Sequence, residues 1–146
     1  MKKLLTSAFV LMLAGGTVAA QDDPVKARQA LMAAAAGAAG IAVPMLKGEM
    51  DYQPAVAKAA IATFYGVSTS AHAFFPEGSG ADTKAAPKIW EDPAGFQAAF
   101  DKFQASAEAA FKASGKDGPA DLKAFQQAVG PVLQNCGACH ENYRLE

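Results

Sequence analysis

The run Cys136-Gly137-Ala138-Cys139-His140, with Cys139 seven residues from the C-terminus, limits what this chain can be more than any other feature. Two cysteines three apart, followed directly by histidine, form the pattern of covalent haem attachment. On a helix, positions three and four apart share a face, so Cys136, Cys139 and His140 can all point at one flat ligand. Two thiols can then add across the two vinyl groups of a haem while the imidazole reaches the iron. This makes Cys136 and Cys139 the expected tethers, His140 the expected proximal ligand, and one haem c with its iron the expected cofactor. Other readings fit less well. A redox-active dithiol belongs to a strand-to-helix turn in a βαβ setting, and no such setting is legible. A structural zinc ion takes about four ligands, and His72 is the only other histidine.

The start of the chain says where the attachment would occur. Met1, Lys2 and Lys3 precede an apolar run over residues 4–13 and then the small residues of 14–20, with no acidic group. That order is a secretory signal peptide, with cleavage expected after Ala20. The run is shorter than the roughly 20 apolar residues of a spanning helix. A periplasmic protein is expected, with residues 21–146 as its single domain. Losing Lys2 and Lys3 leaves 11 basic against 14 acidic residues, a net charge of −3, and no basic patch suggests a nucleic-acid partner.

Alanine dominates the rest of the chain and strand signals are few, so four helices joined by loops are expected. The first begins at Asp22 or Asp23 as cap, with Pro24 in the first turn, and runs to about Leu46, with Pro44 expected to kink or shorten it and Gly48 to stop it. The second begins near Pro54 and ends before Phe75-Pro76. A loop reaches to about Trp90. The third opens at Asp92-Pro93 and carries Phe96, Phe100, Phe103, Ala107 and Phe111 as a core stripe. The fourth runs from about Asp121 to Tyr143, with Gly130-Pro131 expected to bend it.

A motif so near the C-terminus resembles the class II cytochromes c, the cytochrome c′ family and its low-spin relatives. The resemblance covers nearly all of the mature chain. It rests on Arg28-Gln29-Ala30-Leu31-Met32, on Lys47-Gly48-Glu49 with Tyr52, on Phe74-Phe75-Pro76, on Pro87-Lys88-Ile89-Trp90 and, most specifically, on residues 136–144. It implies an all-α, antiparallel four-helix bundle with haem near the C-terminal helix. It also implies that Arg144, four past His140, lies close to the imidazole and disfavours charge on it. Arg28 and Trp90 are further expected parts of the haem environment.

By its spacing from Arg28, Met32 is the residue that the family resemblance puts on the distal side of the iron. With Met32 bound, the iron would be six-coordinate and low-spin, and the protein a periplasmic electron carrier. With Met32 unbound, the open face would take a small gas such as NO or CO. Leu31-Met32 and the Cys-Gly-Ala-Cys-His-Glu-Asn ending look most like the low-spin members, and Ala35, Ala36 and Ala39 would let the helix approach the haem. The expectation is therefore electron transfer with His140/Met32 ligation, gas binding being the alternative. No enzymatic turnover is expected. Met45 and Met50 are expected in core or surface, and His72 as a capping or surface group. Phe64 and Tyr65 could join Trp90 at the haem edge. The implied partners are periplasmic or membrane-bound redox proteins, with monomer against homodimer left open.

Overall fold

The structure is a computed structural model that describes residues 23–146, and the expected signal peptide and its cleavage point lie outside them. Helix α1 spans Pro24–Lys47. Asp23 caps it by accepting the Lys26 amide at 3.0 Å, and Gly48 ends it in the left-handed region at φ 74°. Pro44 neither ends nor shortens α1. It stands in the last turn, where few amide bonds remain to be lost, and its own carbonyl accepts the amides of Glu49 and Met50.

Helix α2 covers Pro54–Ser70 and tightens into a 3-10 turn over Ala71–Phe74. A short helix α3, Lys88–Glu91, occupies the end of the expected loop. Helix α4, Pro93–Ser114, starts where Asp92 accepts the Gly95 amide at 3.0 Å, and α5, Leu122–Tyr143, starts where Asp121 accepts the Ala124 amide at 2.7 Å. Helix α5 continues through Pro131. The carbonyl that loses its amide partner there belongs to Gln127, which is exposed and can be satisfied by water.

The four long helices pack as neighbours in chain order, α1 on α2, α2 on α4 and α4 on α5, and α1 meets α5 to close the bundle. No β-strand occurs among the described residues beyond a single bridge between Ala85 and Arg144. Met45, Ile61, Phe64, Phe125, Val129 and Val132 fill the core with almost no exposure. Each large side chain among them contributes about 1.5–3 kcal/mol of burial. Phe96, Phe100, Phe103 and Ala107 are buried as the stripe on α4 predicts. Phe111 is not. The core positions of the last turns are Ala110 and Ser114, and Phe111 turns outward to stack on Tyr65 with ring centroids 4.8 Å apart.

Candidate functional site

A cavity of about 620 Å³ opens between α1 and the C-terminal half of α5. Cofactor sites commonly fall between about 300 and 1,000 Å³ and are mainly apolar. Met32, Ala35, Ala36 and Ala39 make the apolar part of its α1 wall, which Arg28 and Gln29 continue toward the start of the helix; Phe96, Phe100 and Phe103 line it from α4, and Phe64 and Phe75 complete the apolar lining. Cys136, Cys139 and His140 lie together on the α5 side, as their spacing on one helix requires.

Both cysteines are half-buried and free. Burial pushes the Cys139 thiol up to about 11, with Cys136 adding a smaller like-charge effect, and burial also raises Cys136. Neutral thiols at ordinary pH are unlike the primed thiolate of a dithiol oxidoreductase. His140 sits at the exposed edge of the cavity. Its pKa is lowered, first by partial desolvation and then by the charge of Arg144, the effect expected of a cation one turn on.

Arg28 is only 4% exposed and faces the cavity from α1. Its guanidinium donates to the Ser79 hydroxyl at 2.7 Å, to Thr83 Oγ1 at 3.1 Å and to the carbonyls of Ser79 and Phe74, and it lies 5.1 Å from the centroid of Phe75. All of these acceptors are neutral. Desolvation lowers its pKa, and no carboxylate among the described residues forms an ion pair with it. A buried guanidinium without an anion suits a ligand that brings its own carboxylate. Lys84 and Arg144 add two more cations to the lining.

Met32 is half-buried on the cavity wall, one turn beyond Arg28. Of the expected edge aromatics, only Phe64 reaches the wall. Trp90, expected in the haem environment, is turned away: its indole N–H donates to the carbonyls of Phe75 (3.2 Å) and Pro76 (3.1 Å), and its ring packs over Gly80. It lines a separate shallow depression beside Glu77, Asp82 and Glu91. His72 is neither a cap nor a surface group. It is half-buried behind the cavity, with ring centroids 5.5 Å from Phe96 and 5.2 Å from Phe100. Met45 is buried and Met50 exposed.

Among the lining residues that escaped the sequence reading, two make specific contacts. Asn135 donates to the Lys102 carbonyl (3.1 Å) and to Ser106 Oγ (3.0 Å), stitching α5 to α4 beside Cys136. No local pattern announces such a cross-helix contact. Tyr143 lines the cavity three residues past His140, a spacing that could have flagged it.

A family model described as Cytochrome C′ matches residues 23–144. The chain belongs to the cytochrome c′ family. It is 38% identical to a cytochrome c′ of Rhodopseudomonas palustris, over 99% of this chain and 97% of that one. To a cytochrome c-556 of Agrobacterium fabrum it is 34% identical, over 99% and 96%. Among solved structures, the nitric oxide complex of a cytochrome c prime mutant from Alcaligenes xylosoxidans superposes with a TM-score of 0.73 at 31% identity, covering 86% of this chain and 96% of that one. Membership makes this a c-type haem protein and a carrier of haem iron rather than a typical enzyme. The up-down bundle agrees, cytochrome c′ being a familiar example of that architecture. The residues present fit the group: two thiols and an imidazole on one face, apolar walls, and an unpaired buried cation.

Proposed function

We propose that this protein is an exported cytochrome c′ with one haem tethered by Cys136 and Cys139, its iron held by His140, and its distal face under Met32 open to a small gas such as NO or CO. The observation that carries this reading is the apolar α1 wall. Past Arg28 and Gln29, which are one turn or less before Met32, the α1 lining is Met32, Ala35, Ala36 and Ala39, and these four present no acid, base or hydrogen-bond donor, a surface suited to a neutral diatomic and not to O–O cleavage, which needs acid–base groups. The cytochrome c′ relatives, one solved with nitric oxide, support it over the expected His140/Met32 electron carrier.

Bound haem supplies the one-electron and gas-binding chemistry of its iron. The protein's part is to orient and shield it. Cys136 and Cys139 fix the ring, Arg144 discourages protonation of His140, and Arg28 offers the buried counter-charge for a propionate.

Met32 supports a second reading. It stands on the cavity wall opposite the α5 ligands, and a thioether there could bind the iron and leave a low-spin carrier serving periplasmic or membrane-bound redox partners. Ultraviolet–visible spectra of oxidised and reduced holoprotein decide between them. A high-spin wild type that takes up CO is expected. Low-spin wild type turning high-spin in Met32→Ala would replace the gas-binding reading with the carrier.

Self-association is also proposed. No polar side chain occurs from Ala30 to Leu46, and Ala33, Ala34, Gly37, Gly40 and Ile41 lie exposed on one side of α1. A homodimer would cover this face. Sedimentation should give twice the chain mass, falling to one chain in Gly37→Glu; a monomeric wild type would refute the dimer.

A further inference from the structure

His140 lies in the last turn of α5, and helix ends fray unless something holds them. Residues 84–92 hold this one. The Ala86 amide donates to the Tyr143 carbonyl at 3.1 Å, and the Leu145 amide donates to the Lys84 carbonyl at 2.9 Å. A side-chain bond adds to the attachment, from the Tyr143 hydroxyl to Asp92 Oδ2 at 3.2 Å. Asp92 is fixed independently, because its Oδ1 accepts the Gly95 amide as the cap of α4.

The surroundings leave this pair little freedom. A Cβ on Gly95 would fall 2.6 Å from the Tyr143 hydroxyl and closer still to the Asp92 carboxylate. Phe96 meets the Tyr143 ring edge-on at 5.2 Å, and Lys88 Nζ stands 5.7 Å from its centroid. Lys88 also donates to Asn142 Oδ1 at 3.3 Å, one residue nearer the histidine. The Tyr143 ring forms part of the cavity wall on the same helix face as His140.

We propose that the Tyr143–Asp92 hydrogen bond is a positioning device for the axial histidine, pinning the last turn of α5 to the cap of α4 and so setting the orientation of the His140 imidazole. Tyr143 is a positioning residue, acting through the helix that carries the ligand. The inference rests on His140 being the iron ligand. It is independent of what Met32 does.

The test uses holoprotein in four forms: wild type, Tyr143→Phe, Asp92→Ser and the double variant. Phenylalanine keeps the ring and loses the hydroxyl, whereas serine keeps an α4 cap and is too short to reach Tyr143. The readout is the pattern of haem-methyl hyperfine shifts in paramagnetic proton NMR, which follows the direction of the axial imidazole plane, together with the reduction potential. Each single variant should reorder or respread the methyl resonances in the same sense, and the double variant should add nothing further. An unmoved methyl pattern in Tyr143→Phe, even with a lower Tm, would reduce the bond to a stability contact and overturn the proposal. Fully additive changes would overturn it too, since the two side chains would then act separately. Should Tyr143→Phe yield no holoprotein, Asp92→Ser alone decides by the same criterion. Absence of strongly shifted His140 ring signals in wild type labelled with 15N-histidine would instead sink the ligation on which the inference rests.

Discussion

Replacing Arg28 by Met asks how much one buried cation contributes before any question of haem chemistry. Methionine preserves most of the volume, so the loss is chiefly polar. The two hydroxyl acceptors keep other partners, Ser79 donating to the Pro76 carbonyl and Thr83 to the Gly80 carbonyl. The carbonyls of Phe74 and Ser79 lose the donors that Arg28 supplies. Two carbonyls left short of partners cost about 1–1.5 kcal/mol each, and the lost contact with Phe75 adds about 0.5–1 kcal/mol. Release of a desolvated charge offsets part of this, leaving a net destabilisation of about 2–3 kcal/mol. At roughly 3–4 °C per kcal/mol for a domain of this size, thermal melting followed by circular dichroism should show Tm falling by about 6–12 °C. Amide exchange should quicken most in residues 74–84. A Tm within about 2 °C of wild type, with protection there unchanged, would refute the view that Arg28 holds this segment to α1.

Serine in place of either Cys136 or Cys139 should leave haem attached through one thioether, and serine at both should abolish haem staining after denaturing electrophoresis. Phe125 is fully buried and Phe111 is 38% exposed. Truncating Phe125 to Ala should therefore cost about 3–5 kcal/mol in chemical denaturation, and the same change at Phe111 about 1 kcal/mol or less. Asp121→Ala removes the cap of α5 and should cost about 1 kcal/mol, read as a lower denaturation midpoint with an unchanged slope.

The helices were largely legible because their signals are local. Asp23, one of the two expected caps, and Asp92 and Asp121, at the expected helix starts, all accept a first-turn amide, and each acts within three residues of itself. The grouping of Cys136, Cys139 and His140 was legible for the same reason, the three lying within one and a half turns of helix. Pro44 does not end α1 early and α5 runs on through Pro131 because a proline's effect depends on which carbonyl it deprives, and these lie in a last turn and at a solvent-facing position. Phe111 misled because a stripe with steps of three and four admits two continuations, and only packing against α2 and α5 selects Ala110 and Ser114. Trp90 could not be placed from sequence, since its direction depends on the distant carbonyls of Phe75 and Pro76 that accept its N–H.

The connection between α2 and α4 explains why so much lay beyond local reading. A long irregular stretch in a compact domain usually has a function of its own. Here its first part is gripped by Arg28 from α1, and its last part grips α5 through Tyr143, Leu145 and Asn142. The helix that supplies Met32 and the helix that supplies His140 are thus joined by one continuous piece of chain as well as by direct packing. Each tie spans about fifty residues or more, so no sequence window contains both partners, although Arg28 and Tyr143 each lie within a turn of the residue expected nearest the iron. A substitution at Ser79 or Thr83 should therefore be felt first at Met32, and one at Asp92 first at His140. On the proposed assignment of Met32 and His140, the spectrum of CO-treated holoprotein should respond to the first change and the haem-methyl pattern to the second; a change in both readouts from either substitution would show that the loop does not separate them.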